Sequence, residues 1–166
     1  MKFKVEKINL FKSLSHVQSI VEKKNTLPIL SNILIEAKDN FLVLSSTDMD
    51  ISITDKIPCN VVEEGSTTIS AHTFYDIIRK LSDSSEIEII SNDGKIMTLR
   101  AGKSKFSLGC LPKEDFPLIE IGSLDNELSI DSQNLLKLLD KTRFAISNEE
   151  TRYFLNGIYF HKKKED

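Results

Sequence analysis

Shifting the sequence by 125 residues lays 3–40 on 128–165 without a gap. Asn9, Leu10, Lys12, Leu14, Thr26, Leu30, Ile33 and Lys38 then meet identical residues at Asn134, Leu135, Lys137, Leu139, Thr151, Leu155, Ile158 and Lys163. Phe3 and Val5 meet Leu128 and Ile130, so an alternating strand pattern carries over with the identities. Such self-similarity means that the chain is built from a repeated structural unit, and the fold must be one that tolerates stacking copies of itself. A shorter repeat lies inside the first copy. Residues 1–110 read as β-α-β-β-β written twice, and setting Val5 on Ile69 places Leu10 on Phe74, Leu14 on Ile78 and Val17 on Leu81. One such unit cannot cover the apolar face of its own sheet, whereas two related by a pseudo-twofold can.

The changes of hydrophobic period support this order. Phe3 and Val5 alternate with charged residues and predict a strand. Asn9 is the expected N-cap of a helix whose apolar face is Leu10, Leu14, Val17 and Val21, ending near Lys23-Lys24-Asn25. Strands are expected over 30–37, 41–46 and 51–57, with turns at 38–40 and 47–50. A short strand over 68–70, a helix over 73–81 and strands over 86–90, 96–100 and 105–108 complete the second unit. Beyond a linker at 118–126 come the first elements of another copy: a strand, a helix over 132–146 and a strand over 153–160. The expected domains are therefore 1–120 and 125–166. The second stops where the first would make its first hairpin turn, and the reading is of a truncation of something longer.

At 166 residues, 40% hydrophobic and 28% charged, with 6 Gly and 4 Pro, the chain is globular rather than disordered or fibrous. Its 22 Lys+Arg against 25 Asp+Glu give a formal charge of −3. Tight nucleic-acid binding by bulk charge is thus excluded, and any contact with DNA must be weak, local or topological. No apolar run approaches the ~20 residues needed to cross a bilayer, and the N-terminus lacks a signal-peptide core, which fits a cytoplasmic protein. Cys59 and Cys110 have no metal-ligand spacing around them and read as buried free thiols.

Few residues suggest reaction chemistry. Asp48, Asp50 and Asp55 offer carboxylates for a metal-dependent nuclease or phosphatase. A turn at 47–50, with Asp satisfying its own backbone, is the preferred reading. Gly102 and Gly109 open no helix, so no phosphate loop is present. His16, His72 and His161 lack a nucleophile partner. No cofactor or metal is expected.

The helices carry a different signal. Lys12 and His16 lie one turn apart opposite the apolar face, and the gapless repeat puts Lys137 and Lys141 at the same positions. In the middle helix the equivalents are Asp76 and Lys80, with Arg79 adjacent. A recurrent basic face suits a phosphate backbone without base readout. A routine solvated face is the alternative. In the strand around 105–108, Lys103 and Lys105 are read on the same parity as Phe106 and Leu108, a mixture that suits a sheet edge meeting another chain.

Five segments then fall in a familiar order: Thr26-Leu27-Pro28-Ile29-Leu30-Ser31-Asn32, Thr47-Asp48, Arg100-x-Gly-x-Ser-x-Phe106-x-Leu108, Leu111-Pro112-x-x-Asp115-Phe116-Pro117 and Arg152-Tyr153-Phe154-Leu155-Asn156-Gly157. With them the chain resembles the beta subunit of bacterial DNA polymerase III, the replicative sliding clamp. The resemblance implies an α+β DNA-clamp fold of repeated β-α-β-β-β units, with helices packed on antiparallel sheets. It covers one complete clamp domain and the start of a second, with the family's third domain absent. It implies a non-enzymatic processivity factor whose head-to-tail homodimer encircles duplex DNA without sequence preference. Polymerase III subunits and the clamp loader are the implied partners.

By the same resemblance, Lys12, His16, Lys24, Arg79, Lys80, Lys137 and Lys141 face DNA, and Asn148-Glu149-Glu150 matches a DNA-proximal loop. Arg152 and Leu155 match the rim of a pocket for partner peptides. Lys103, Lys105, Phe106 and Leu108 match the edge that meets the other protomer, and Ile96 stands where the family has a charged interface residue. A generic β-rich interaction module is the competing non-enzymatic reading. The chain alone is expected to be unable to close a ring.

Overall fold

The computed structural model describes residues 1–22, 26–83, 85–117 and 128–161. They fall into two compact units, Met1–Glu120 and Ile121–Asp166. In the first, β1 (Lys2–Glu6) runs straight into α1 (Lys7–Val17) and a 3-10 turn (Gln18–Ile20). A second 3-10 turn (Pro28–Ser31) leads to β2 (Asn32–Lys38), β3 (Phe41–Thr47), β4 (Ser52–Pro58) and β5 (Asn60–Glu63). The order then begins again with β6 (Gly65–Ser70), α2 (Ala71–Lys80), β7 (Glu86–Ser91), β8 (Ile96–Ala101) and β9 (Ser104–Leu111).

Pairing is antiparallel throughout and gives the strand order β4-β3-β2-β6-β9-β8-β7-β1-β5. The two halves exchange their first strands. β1 pairs with β7 of the second half, Val5 opposite Ile87, while β6 pairs with β2 of the first, Ile69 opposite Ile33. Neither half can therefore complete its sheet alone. β4 and β5 stand at opposite ends of the order, yet only Cys59 separates them in the chain, so the sheet bends round until its ends meet.

Alternate residues of the strands and one face of each helix make a single core. Ile33, Ile35, Leu42, Leu44, Ile87, Ile89 and Leu99 are fully buried beneath Leu10, Leu14, Val17, Phe74 and Ile78. Each large aliphatic side chain so buried contributes roughly 1.5–3 kcal/mol. The buried Ser46 hydroxyl on β3 donates to Val17 O at 2.6 Å and satisfies a carbonyl at the end of α1.

The helices lie antiparallel and are clipped at both ends. At one end Lys7 is buried, donates from Nζ to Asp83 and sends its backbone N–H to Ser85 O at 3.0 Å. At the other, His72 Nε2 lies 3.0 Å from Val21 O. A carbonyl only accepts, so His72 carries its proton on Nε2. Ser85 and Val21 are equivalent positions of the two halves; one carbonyl is taken by a backbone donor, the other by a side chain.

Several expectations need correction. Asn9 is not the N-cap: α1 starts at Lys7, and Asn9 Nδ2 donates to Glu6 Oε2 at 3.3 Å from within the helix. The regular helix stops at Val17 rather than near Lys23. Ser15 Oγ and Ser19 Oγ donate to Phe11 O and His16 O at 2.8 and 2.6 Å, competing with the helical ladder. Pro28 opens a 3-10 turn, so β2 begins at Asn32, not at Leu30. β5, which continues from β4 to pair with β1, was not anticipated.

The second unit contains α3 (Ser132–Thr142) followed by 3-10 turns at Arg143–Ala145 and Glu150–Leu155. The shift of 125 maps α1 onto α3 and Gln18–Ile20 onto Arg143–Ala145 residue for residue. The helix part of the long repeat is thus borne out. The expected strands at 128–130 and 153–160 are not: residues 150–155 form 3-10 turns broken at Arg152 (φ −119°, ψ 50°), and no strand occurs among the described residues of this unit. A helix closes its hydrogen bonds internally, whereas a strand needs a neighbour, and no described residue here supplies one.

Candidate nucleic-acid interface and pairing edge

Charge on the helices separates into paired and unpaired groups. His16 Nδ1 lies 3.4 Å from Asp55 Oδ2 on β4, and Arg79 Nη2 lies 3.0 Å from Asp76 Oδ1. Lys12, Lys80, Lys137 and Lys141 are exposed and have no acidic partner among the described residues. The pair at Arg79 follows from its i,i+3 spacing on α2, and Arg143 meets Asp140 at 3.3 Å on the same pattern. The four lysines are therefore the cations on these helices whose charge is not locally cancelled. Lys24 lies outside the described residues.

Beside α2 is a cleft of about 650 Å³ lined by Gln18, Ser31, Ser70, His72, Tyr75, Asp76 and Arg79. Sequence reasoning missed it, because its walls come from α2, β6 and the segments that flank β2 and α1. The one available signal was the short repeat, which lays Phe11 on Tyr75. In the structure these two rings stack.

The carboxylates at 48–55 belong to local structure. Asp48 Oδ1 accepts from the N–H of Asp50 at 3.0 Å and of Ile51 at 2.7 Å, and Met49 takes φ 82°. Asp55 accepts from its neighbour's N–H, Lys56, at 2.9 Å and otherwise meets His16. Among the described residues no group of His, Cys, Asp and Glu is placed to hold a metal ion. Cys59 and Cys110 are free and half-buried rather than buried, and burial pushes both thiols up.

β9 departs from the expected edge strand in an informative way. It lies inside the strand order, between β6 and β8. β8 pairs with it from Ser104 to Gly109, whereas β6 meets only Cys110 and Leu111. The second side of 104–109 is therefore open among the described residues. Phe106 and Leu108 are half-buried on the inner face, Lys105 is exposed on the outer one, and Lys103 sits in the turn after Gly102, whose φ is 56°. The assignment of one parity to lysines and apolar residues was wrong, because odd and even positions of a strand face opposite ways.

Lys105 stands directly opposite Arg100, which reaches Glu88 at 3.6 Å. Like charges opposed across strands are unfavourable unless something acidic arrives beside them. β4 ends the strand order at the other side, with its second edge unpaired among the described residues, and it is the counterpart of β9 in the short repeat. Ile96 is 54% exposed next to this region and pairs with Gly109.

In the second unit, Arg152 Nε lies 3.3 Å from Glu149 Oε2, and Leu155 is 44% exposed. Phe144, Tyr153, Phe154 and Tyr159 are exposed as well.

Against this geometry the comparisons are consistent. The family model for the DNA polymerase III beta subunit, N-terminal domain, matches residues 1–120. The beta sliding clamp of Caulobacter vibrioides is 45% identical over 166 residues, covering 99% of this chain and 45% of the relative. That of Escherichia coli K12 is 34% identical and is likewise covered over 45% of its length. The solved sliding clamp of Bartonella birtlesii bound to griselimycin superposes with a TM-score of 0.93 at 44% identity, over 97% of this chain and 43% of that one. The Caulobacter crescentus beta sliding clamp does so at 0.94 and 45% identity, over 99% and 44%. The chain thus spans less than half the length of the curated relatives it matches.

Proposed function

Because the chain belongs to the DNA polymerase III beta-subunit family through residues 1–120, we propose that it works as a component of a DNA sliding clamp. In this reading it is an accessory processivity factor without catalysis of its own, acting in the cytoplasm. It contributes helix faces to a ring around duplex DNA and helps tether the polymerase. The observation that carries this is the contrast between a net charge of −3 and four uncancelled lysines on the helices, Lys12, Lys80, Lys137 and Lys141. A ring holds DNA by topology, so its lining needs only mild, sequence-blind attraction to phosphate. A denser positive surface would hold the duplex in place.

The open side of β9 at 104–109 is where another clamp domain adds its edge strand, and the charges of Lys103 and Lys105, unpaired among the described residues, favour an acidic one. Phe106 and Leu108 support that strand from the inner face. Lys24 belongs with the DNA-facing set, His16 and Arg79 with reduced weight because of their acidic partners. Arg152 and Leu155 form part of a seat for partner peptides, Arg152 being oriented by Glu149.

Charge reversal tests the DNA-facing assignment. Glu at Lys12, Lys80, Lys137 and Lys141 together should abolish measurable binding of the chain to a short duplex at low salt while preserving its melting curve. Unchanged binding across a salt series would return these lysines to an ordinary solvated surface.

A further inference from the structure

We infer that Asn156 is a site of spontaneous covalent modification, losing its side-chain amide to the backbone nitrogen of Gly157. The inference goes beyond the clamp reading and does not depend on it. In the step, the Gly157 nitrogen attacks Asn156 Cγ and closes a five-membered imide. The Cγ–Nδ2 bond breaks, and the Gly157 amide proton leaves with Nδ2 as ammonia. Water then opens the imide, giving its hydroxyl to one carbonyl carbon and its other proton to the ring nitrogen. Opening at Cγ leaves aspartate; opening at the main-chain carbonyl leaves isoaspartate, whose backbone runs through the former side chain. Either product adds a negative charge to the formal −3 of the chain.

The step needs a free side chain, an unhindered nitrogen and a backbone that can turn. Asn156 and Gly157 are both exposed, and neither the Asn156 amide group nor the Gly157 N–H has a partner among the described residues. A Cβ placed on Gly157 would meet no atom within 4 Å, so nothing crowds the attacking nitrogen. Ring closure requires rotation about the Asn156 Cα–C bond away from its ψ of 8°. The Asn156 N–H donates back to Tyr153 O at 3.1 Å, which ties the residue only to the turn before it. From Gly157 to His161 no backbone hydrogen bond occurs among the described residues, so the chain that must swing is held by none.

Comparable positions elsewhere in the chain are restrained. Asn156 is the one asparagine followed by glycine. Asp93-Gly94 could close the same imide with loss of water, but the Asp93 carboxylate accepts from the N–H groups of Lys95 and Ile96 at 3.0 and 3.2 Å, and Ile96 opens β8. Those bonds also hold the group as the anion, which is the poorer electrophile. Asn40 Oδ1 accepts from Val61 N–H at 3.3 Å, and Phe41 after it is fixed in β3. Asn32 is buried, with Nδ2 donating to Thr68 Oγ1 at 3.0 Å. The modification therefore falls beside Leu155, where a new carboxylate competes with Glu149 for the exposed Arg152 guanidinium.

The test incubates the full chain at mildly alkaline pH and follows residue 156 by peptide mapping with mass spectrometry and enzymatic methylation of isoaspartate. A synthetic peptide spanning residues 151–161 serves as the unstructured reference. Asn156 in the chain should convert at a rate within severalfold of the peptide's, to a mixture of aspartate and isoaspartate, while Asp93 stays aspartate. Gly157 has no left-handed φ, so Gly157→Ala fits the backbone. It should keep the parent's melting curve and slow the conversion severalfold, because its methyl group stands beside the attacking nitrogen. Asn156→Gln, whose ring would be larger, should give no acidic form at this position. An Asn156 that persists in the chain while the peptide converts would show that the backbone is held, and the assignment fails. Equal rates for the parent and Gly157→Ala, or aspartate formed without isoaspartate, would also overturn it, since neither agrees with an imide closed by the Gly157 nitrogen.

Discussion

Phe11 and Tyr75 stack with ring centroids 5.4 Å apart at an interplanar angle of 25°, and they are the same position in the two halves of the first unit. A residue that touches its own counterpart marks the local twofold between α1 and α2. The stack extends on both sides, with Lys7 Nζ 4.8 Å from the Phe11 ring and the Arg79 guanidinium 5.9 Å from that of Tyr75. Each of these cations is in turn paired, with Asp83 and Asp76. The helix pair is therefore fixed at its centre and its ends by contacts that join the two halves.

A double-mutant cycle on Phe11→Ala and Tyr75→Ala should give a coupling energy of about 0.5–1.5 kcal/mol in urea unfolding. Strictly additive losses would mean that the rings merely lie near each other.

Equivalent positions of the long repeat differ in burial. Leu14 is fully buried in α1, whereas its counterpart Leu139 in α3 is 37% exposed. Leu14→Ala should cost about 2–5 kcal/mol of the first unit's stability, and Leu139→Ala under about 1 kcal/mol. Equal losses by chemical denaturation would contradict the described packing.

Acid titration offers a local probe. The backbone N–H groups of Lys95 and Ile96, at 3.0 and 3.2 Å, hold the Asp93 carboxyl below the usual aspartate value. A depressed folded-state value stabilises the turn above the unfolded value, and that contribution is lost as pH falls through the folded one. NMR titration of the Asp93 carboxyl should give a midpoint below that of an unstructured aspartate; a midpoint at or above it contradicts the turn geometry. Lys4 behaves in the opposite sense. Its hydrogen bond to Glu86 at 2.9 Å raises its value, so its contribution is present at neutral pH and lost as pH rises through the raised value.

Lys103→Glu with Lys105→Glu should leave the first unit's melting temperature within a few degrees of the parent. On the proposed clamp reading, a chimera that carries residues 1–120 of this chain in the Caulobacter vibrioides beta sliding clamp should self-associate roughly tenfold or more weakly in sedimentation analysis when it bears the same pair. A dimer of unchanged strength would remove these lysines from the pairing edge.

The legible parts of this fold are those with local periodicity. Leu10, Leu14, Phe74 and Ile78 announce both helices, and the gapless shift announces α3, which starts at the expected Ser132 but ends at Thr142 rather than at Ile146. Turn chemistry at 38–40 is also readable, where Asp39 and Asn40 take φ 52° and 59° between paired Lys38 and Phe41. Features that depend on remote partners were not legible. The start of α1 is set by Ser85 O, β5 exists because β1 offers it an edge, and 153–160 is not a strand because a strand cannot form without one. The cleft joins residues as far apart as Gln18 and Arg79, so no window of sequence contains it. The unpaired lysines were visible as a recurring face, but only the structure separates them from His16 and Arg79, whose charges are answered.

The central claim is that residues 1–120 form a working clamp domain. The direct measurement is to replace the matching segment of the Caulobacter vibrioides beta sliding clamp with residues 1–120 of this chain and load the chimera onto nicked circular DNA. The account predicts retention on the circles through gel filtration at moderate salt and rapid loss once the circles are cut. A folded, dimeric chimera that leaves circular and linear DNA at the same rate would contradict it.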